Sequence, residues 1–266
     1  MDALAAIRRY AFGFVNSHDF DVCRQLMSPD YTLHMGADVV RGRDEHYIPA
    51  VRHQMAQFPN LGFAIHDMLT DGVWTALCFS EHGTSAKDPG RAASWLGVSM
   101  YRFDGEWLTE CWVEQDHYAR RKQLAGQTAV TVPPVAVDPW HSAHSTPGAG
   151  VAEAVTGWWK ELRTWPPPSG AYVIDPGPYA ADQPRLEELE STLDVLVVSG
   201  DRAAFHATLR GRYIGGLPGF EGAGQAVEHH VAGFATAADG AVSGLRAVTH
   251  RVGVQRQLRP RHVPIS

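Results

Sequence analysis

Two carboxylates, Glu114 and Asp116, close the run WLTECWVEQD. Side chains two apart on a β-strand share a face, and Trp112 shares it as well. A carboxyl beside an aromatic wall loses solvent, and desolvation raises its pKa toward the range useful for proton transfer. The chemistry expected is therefore acid/base work without a bound metal. The same spacing also describes an edge strand with solvated acids, and spacing alone does not separate the two.

The elements that must hold these residues are legible from periodicity. Residues 3–16 carry apolar positions at helical spacing, a second short helix is predicted over 19–27, and a third over 43–58 with Pro49 in its first turn or at a kink. A short strand is predicted at 31–35. Longer ones are predicted at 62–69, 72–82, 94–103 and 106–116, with Asp71-Gly72 and Asp104-Gly105 as hairpin turns. His117 and Tyr118 are expected on the turn after the last of them. Helices followed by a run of antiparallel strands predict an α+β domain, helices on one face of a curved sheet that can roll around a pocket.

Residues 127–150 contain four prolines and read as a linker between units at 1–126 and 151–266. The second unit opens with the helix VAEAVTGWWKELRTW, stopped at Pro166-Pro167-Pro168. Residues 185–198 are expected to pass from a polar helical or turn segment into a strand. Further strands are expected at 202–213, 225–236 and 241–250. The ends of the halves echo each other: DGEWLTECWVEQDHYARRKQL beside DGAVSGLRAVTHRVGVQRQL. Counting back seven from Gln123 and Gln257 reaches Asp116 and His250, so a tandem duplication with a diverged second copy is expected.

Composition sets the outer bounds. A net charge of −6 over 266 residues carries no nucleic-acid footprint. The 14 histidines are scattered, with no HExxH or CxxC, so no structural zinc site is expected. Cys23, Cys78 and Cys111 read as reduced core residues of a cytoplasmic protein. The N-terminal segment does not read as a signal peptide, and no apolar run approaches the ~20 residues that span a bilayer. The basic ending RQLRPRHVPIS is expected to be a solvated tail or a strap.

Three passages carry a family resemblance. HDFDVCRQLMSPDYTLH resembles an "N-x-x-D … D-Y-x-x-H" opening, and QFPNLGFAIHDMLTDGVWTALCFSEHGTS an "F-P-D-L … G-D-x-V … G-T-H-T-G" passage. Trp112, Asp116 and Gln123-Leu124 match the ending "W-x-x-x-D-x-x-x-L-x-x-Q-L-G". Residues 3–126 thus resemble the SnoaL-like polyketide cyclases of the nuclear transport factor 2-like and ketosteroid isomerase-like superfamily. Two departures stand out: Glu81 precedes the matching histidine, and Ala125 interrupts the final motif. In the second half LRGRYIGGLPG resembles the histidine passage with Tyr213 in the histidine's place, and His250 replaces the aspartate. That copy is therefore expected to be non-catalytic.

The resemblance implies two α+β cones packed sheet to sheet as an intramolecular pseudo-dimer, with further homo-oligomerisation left open. It implies Asp116 as acid/base, with His82 and His34 in the same cavity donating hydrogen bonds to an enolate. Trp112, Glu114, Trp74 and Trp95 are the expected substrate contacts. The expected reaction is aldol-type cyclisation or a related enolisation of a polyketide-like carbonyl substrate, with no cofactor, nucleic acid or membrane partner. Two alternatives stay open. One is a hydrolase or dehydratase, including an epoxide hydrolase, although no arginine is placed between two aspartates as that version requires. The other is a non-catalytic module binding a small ligand or a protein. His229, His230, Tyr213 and His250 are expected either to line a second pocket or to be incidental core residues.

Overall fold

The structure is a computed structural model describing residues 1–259 apart from 136, 137, 142, 144, 145, 169 and 223. The last part of the basic ending, 260–266, lies outside the described residues. Helix α1 (Ala3–Arg8) starts at Asp2, whose carboxylate accepts from the Ala5 N–H at 2.8 Å, and continues into a π-helical stretch, Arg9–Val15. Asp19 caps α2 (Phe20–Leu26) in the same way. Strands β1 (Met27–Met35) and β2 (Asp38–Arg41) precede a π-helical turn, Arg43–Tyr47, that leads into α3 (Ile48–Gln57). Pro49 sits in the first turn of α3, just past the π-helical turn that this helix continues.

Strands β3 (Gly62–Thr70), β4 (Trp74–Thr84), β5 (Ala92–Phe103) and β6 (Leu108–Gln115) follow, then α4 (His117–Leu124). The two Asp-Gly turns form as expected. Asp104 Oδ1 accepts from the Glu106 and Trp107 N–H groups, and Gly105 takes φ +103°, open to glycine at no steric cost. The sheet order is β2-β1-β6-β5-β4-β3, with β1 parallel to β6 and the other neighbours antiparallel.

The second half repeats the plan. Helix α5 (Val151–Glu161) is followed by β7 (Tyr172–Ile174), β8 (Arg185–Ser199), β9 (Arg202–Gly215), β10 (Ala226–Ala238), β11 (Ala241–Thr249) and α6 (Arg251–Leu258). Its sheet runs β7-β11-β10-β9-β8, again with a parallel pair, β7 and β11. The echo seen in the sequence has a structural counterpart. Gln123 bonds both the N–H and the carbonyl of Ser94 on β5, and Gln257 does the same to Glu228 on β10. Asp116 and His250 stand at the N-caps of α4 and α6 with similar backbone angles.

The protein is thus α+β, with two mixed sheets each carrying helices. One face of the first sheet is covered by α1–α3 around Phe14, Tyr31, Phe79 and Trp95. One face of the second packs Trp159, Trp165, Phe205 and Tyr213 against α5. The remaining faces meet each other: Leu69, Cys78 and Met100 pack against Val195, Ala232 and Phe234. Among the described residues no helix is long and apolar enough to cross a membrane. All three cysteines are free and buried.

Several expectations need correction. Residues 185–199 are strand throughout, with register shifts that interrupt its alternation. His117 and Tyr118 lie on a helix rather than a turn, and the start of the basic ending, 256–258, belongs to α6. Gly97 has a packing reason to be glycine, since a Cβ there would lie 2.2 Å from Phe79 Cζ. Gly97→Ala is expected to lower stability by about 1–3 kcal/mol, read as a reduced denaturant midpoint in equilibrium unfolding.

Candidate functional site

The helix-covered face of the first sheet encloses a cavity of about 60 Å³. Tyr10, Tyr31, Tyr47 and Tyr101 line it together with Glu81 and Gln115. The tyrosine rings pack closely, with centroids 4.8 Å apart for Tyr10–Tyr101 and 4.9 Å for Tyr31–Tyr47. The Tyr31 hydroxyl is buried with no hydrogen bond of good geometry, the weakly bonding Cys111 thiol being beside it. A buried donor so weakly bonded is costly unless something else fills the role.

Glu81 is the carboxylate of this cavity. It sits on β4 between Ser80 and His82, and Gln54 Nε2 on α3 donates to its Oε2 at 2.7 Å. Burial pushes its pKa up to about 7, against the opposing charge of Arg120 and hydrogen bonds from Gln54, Trp95 and Gln115. Trp95 Nε1 donates to Gln115 Oε1 at 2.9 Å, and the Arg120 guanidinium lies over the Trp95 ring, 5.0 Å from its centroid. A carboxyl poised near neutrality in a cavity walled by apolar and phenolic side chains can remove or return a proton.

Asp116, His82 and His34 are not in this cavity. On β6, Cys111, Val113 and Gln115 turn toward it, while Glu110, Trp112 and Glu114 turn to the opposite face. His34 stacks flat on Trp112 at 3.8 Å and lies 3.3 Å from Glu110. His82 accompanies Ser80 and Ser94 at 2.6 and 2.9 Å on that same opposite face. Trp74 packs against the core between the sheets. Of the four expected substrate contacts only Trp95 belongs to the cavity side, one layer beneath its wall.

Glu114 lies at the seam between the sheets with 0% of its surface exposed. Its Oε1 accepts from the Gly36 N–H at 2.8 Å and faces His206 Nε2 at 3.1 Å. Its Oε2 is 3.0 Å from His250 Nδ1, within ion-pair distance but out of line for a hydrogen bond. Burial opposes the charged form, yet the two imidazoles outweigh it and hold the carboxyl below the usual range. His206 Nδ1 in turn faces Asp194 Oδ2 at 2.8 Å. His230 is nearby, with Nε2 at 3.0 Å from Glu228.

Asp116 also belongs to the seam. Its Oδ1 accepts from the Ala119 N–H and from Arg251 Nη2 at 2.6 Å. Arg251 Nε is 3.2 Å from Asp175 Oδ2, so an arginine does stand between two aspartates, carried by different halves of the chain. Strand spacing could not reveal that pairing. None of the three lines the cavity, and Asp175 is already engaged by Thr249 and Gln183. Burial and Asp175 push Asp116 up to about 6, with Arg251 opposing, so it is a carboxylate at neutral pH. Asp116→Asn is expected to leave the chemistry of the cavity intact and to cost about 1–3 kcal/mol, seen as a lower thermal midpoint.

Strand register assigns the counterparts in the second unit. Glu81 pairs with Trp95, and Leu209 pairs with His229 at the matching place, so leucine stands where the cavity acid stands. Arg210, not Tyr213, is the register counterpart of His82, because it faces Glu228 as His82 faces Ser94. His229 points into the second core with both ring nitrogens unpartnered, and burial lowers its pKa to about 3. Tyr213 Oη accepts from the Leu217 N–H and donates to the Phe220 carbonyl.

An α+β architecture of two mixed sheets, with helices over an acid-bearing cavity, defines the class. The SnoaL-like domain family model matches residues 7–111, so the first half of the chain carries a SnoaL-like domain. Solved structures similar to the chain include IdmH from Streptomyces antibioticus, at 22% identity over 46% of this chain and 96% of its own, with TM-score 0.39. TsrD from Streptomyces laurentii is 19% identical over 48% and 99%, with TM-score 0.41. An epoxide hydrolase from M. tuberculosis, described as LEH-like, is 17% identical over 47% and 90%, with TM-score 0.39. Comparison with curated proteins returned no match.

Proposed function

We propose that the first unit is an acid/base enzyme acting on a compact carbonyl compound, with Glu81 as the base. The supporting observation is the buried Glu81 facing the same cavity as the weakly bonded Tyr31 hydroxyl. Glu81 removes the proton α to the carbonyl, and Tyr31 donates a hydrogen bond to the enolate oxygen as charge develops there. The proton returned by Glu81 to another carbon of the enolate completes an isomerisation; attack of the enolate carbon on a second carbonyl, whose alkoxide oxygen takes the proton from Glu81, completes an aldol closure. A cavity of about 60 Å³ takes a small substrate or one arm of a larger one, so a polycyclic product requires α3 to shift outward. The second unit, with Leu209 at the acid's place, is a diverged, non-catalytic copy.

The test is solvent deuterium exchange at the α-carbon of a panel of small ketones and diketones, followed by NMR. Exchange above the buffer rate is expected for the wild-type chain, rising as pH passes through about 7, where Glu81 loses its proton. Tyr31→Phe is expected to slow it by about 10²–10³-fold, the usual effect of losing one oxyanion donor. An equal rate in Tyr31→Phe would remove that residue from the chemistry. The tightness of the cavity favours a second reading, a small-ligand-binding module. Saturable binding with no exchange across the panel would select it.

A further inference from the structure

We propose that the seam between the two sheets is a metal site, in which Glu114, His206 and His230 hold one divalent transition-metal ion. The inference is independent of the cavity chemistry. One ligand atom each from Glu114, His206 and His230 falls within 4.8 Å of the others, and all three residues are buried. Tetrahedral ligands about 2.1 Å from an ion stand roughly 3.4 Å apart, so small side-chain adjustments close the set.

The outer partners supply the stronger argument. His206 turns Nδ1 to Asp194 at 2.8 Å and Nε2 inward to Glu114 at 3.1 Å. His230 turns Nε2 to Glu228 at 3.0 Å, which leaves its Nδ1 facing Thr208 and the interior. A carboxylate on the far nitrogen fixes the tautomer and orientation of a metal-binding imidazole, and here two histidines have one each. Thr208 also donates to Asp194, which steadies that carboxylate.

Glu114 Oε2, buried and outside any hydrogen bond of good geometry, has His250 Nδ1 beside it at 3.0 Å. An ion beside this oxygen would use its free lone pair, with His250 as a neighbour of the site. The backbone is shaped for this approach, because a Cβ on Gly36 would fall 2.1 Å from His250 Nδ1. Two imidazoles and one carboxylate suit zinc and its first-row neighbours. The ligands come from β6, β9 and β10, so the ion would join the two halves of the chain.

The test uses the untagged full chain, stripped with a chelator and titrated with Zn²⁺ by calorimetry, with Co²⁺ absorption as an independent probe. One ion per chain is expected, with a rise in the thermal midpoint. His230→Ala, which removes a ligand near the solvent edge, is expected to weaken binding more than 100-fold. Asp194→Asn and Glu228→Gln leave the ligands in place and are expected to weaken it about 10–100-fold. Absence of saturable one-to-one uptake by the stripped wild-type chain would overturn the site. Uptake of equal affinity in His230→Ala and Glu114→Gln would overturn it as well.

Discussion

Glu81→Gln is expected to reduce α-proton exchange by at least 10²-fold, up to the ~10⁴-fold that general base catalysis typically contributes. Gln has nearly the volume of Glu and can still accept from Gln54, so the cavity keeps its shape while the base is lost. A second readout belongs to the same variant. The folded-state pKa of Glu81 is raised, from the ordinary 4.5 to about 7, so the folded protein holds that proton more tightly than the unfolded chain. Its burial therefore costs nothing below pH 4.5, and the cost grows as pH rises to about 7 and then levels off. The full difference corresponds to about 3 kcal/mol. Glu81→Gln should accordingly be inactive and yet more stable than wild type at pH 8, with the advantage vanishing near pH 4. A variant that loses exchange without that pH-dependent gain would point to a damaged fold, and one that keeps exchange would move the base elsewhere.

Glu81 carries no motif signal: the family pattern marks His82, one position on, and neighbours on a strand face opposite ways. The deciding signal lies in β4 itself. Leu77, Phe79 and Glu81 alternate with Ala76, Cys78, Ser80 and His82. Large side chains fill the hollow under helices, whereas small ones let two sheets approach, so Glu81 belonged with the hollow. The same reasoning applies to β6, where Trp112 and Glu114 do share a face, as their spacing required, but that face is the seam. The start of α2 and the β3–β4 and β5–β6 turns were legible because an Asp cap and Asp-Gly pairs mark them, whereas β2 and the first residues of β1 carry no such mark. The strand at 185–199 was harder to recognise, because bulges break its period and Glu188 takes a positive φ. Contacts between halves, such as Glu114 with His206, leave no spacing signal at all.

Arg251→Met is expected to be among the most destabilising single changes in the chain. The residue is 0% exposed and holds the two halves together through several groups. Its Nη2 pairs with Asp116, its Nη1 donates to the Tyr179 carbonyl at 2.6 Å, and its Nε lies beside Asp175. The guanidinium also rests over the Tyr118 ring, 4.5 Å from the centroid. Met fills most of the volume but leaves two buried carboxylates facing each other without a cation. Breaking a buried pair by removing one partner costs about 3–5 kcal/mol, which for a chain of this size lowers the thermal midpoint by roughly 10 °C. Arg251→Lys keeps the charge but not the planar fork, so an intermediate loss is expected. The mechanism is separable from simple loss of packing. If stranded carboxylates cause the loss, adding Asp116→Asn to Arg251→Met should recover part of it, although Asp116→Asn alone destabilises. Additive losses in that double-mutant cycle would show that Arg251 acts only by filling space.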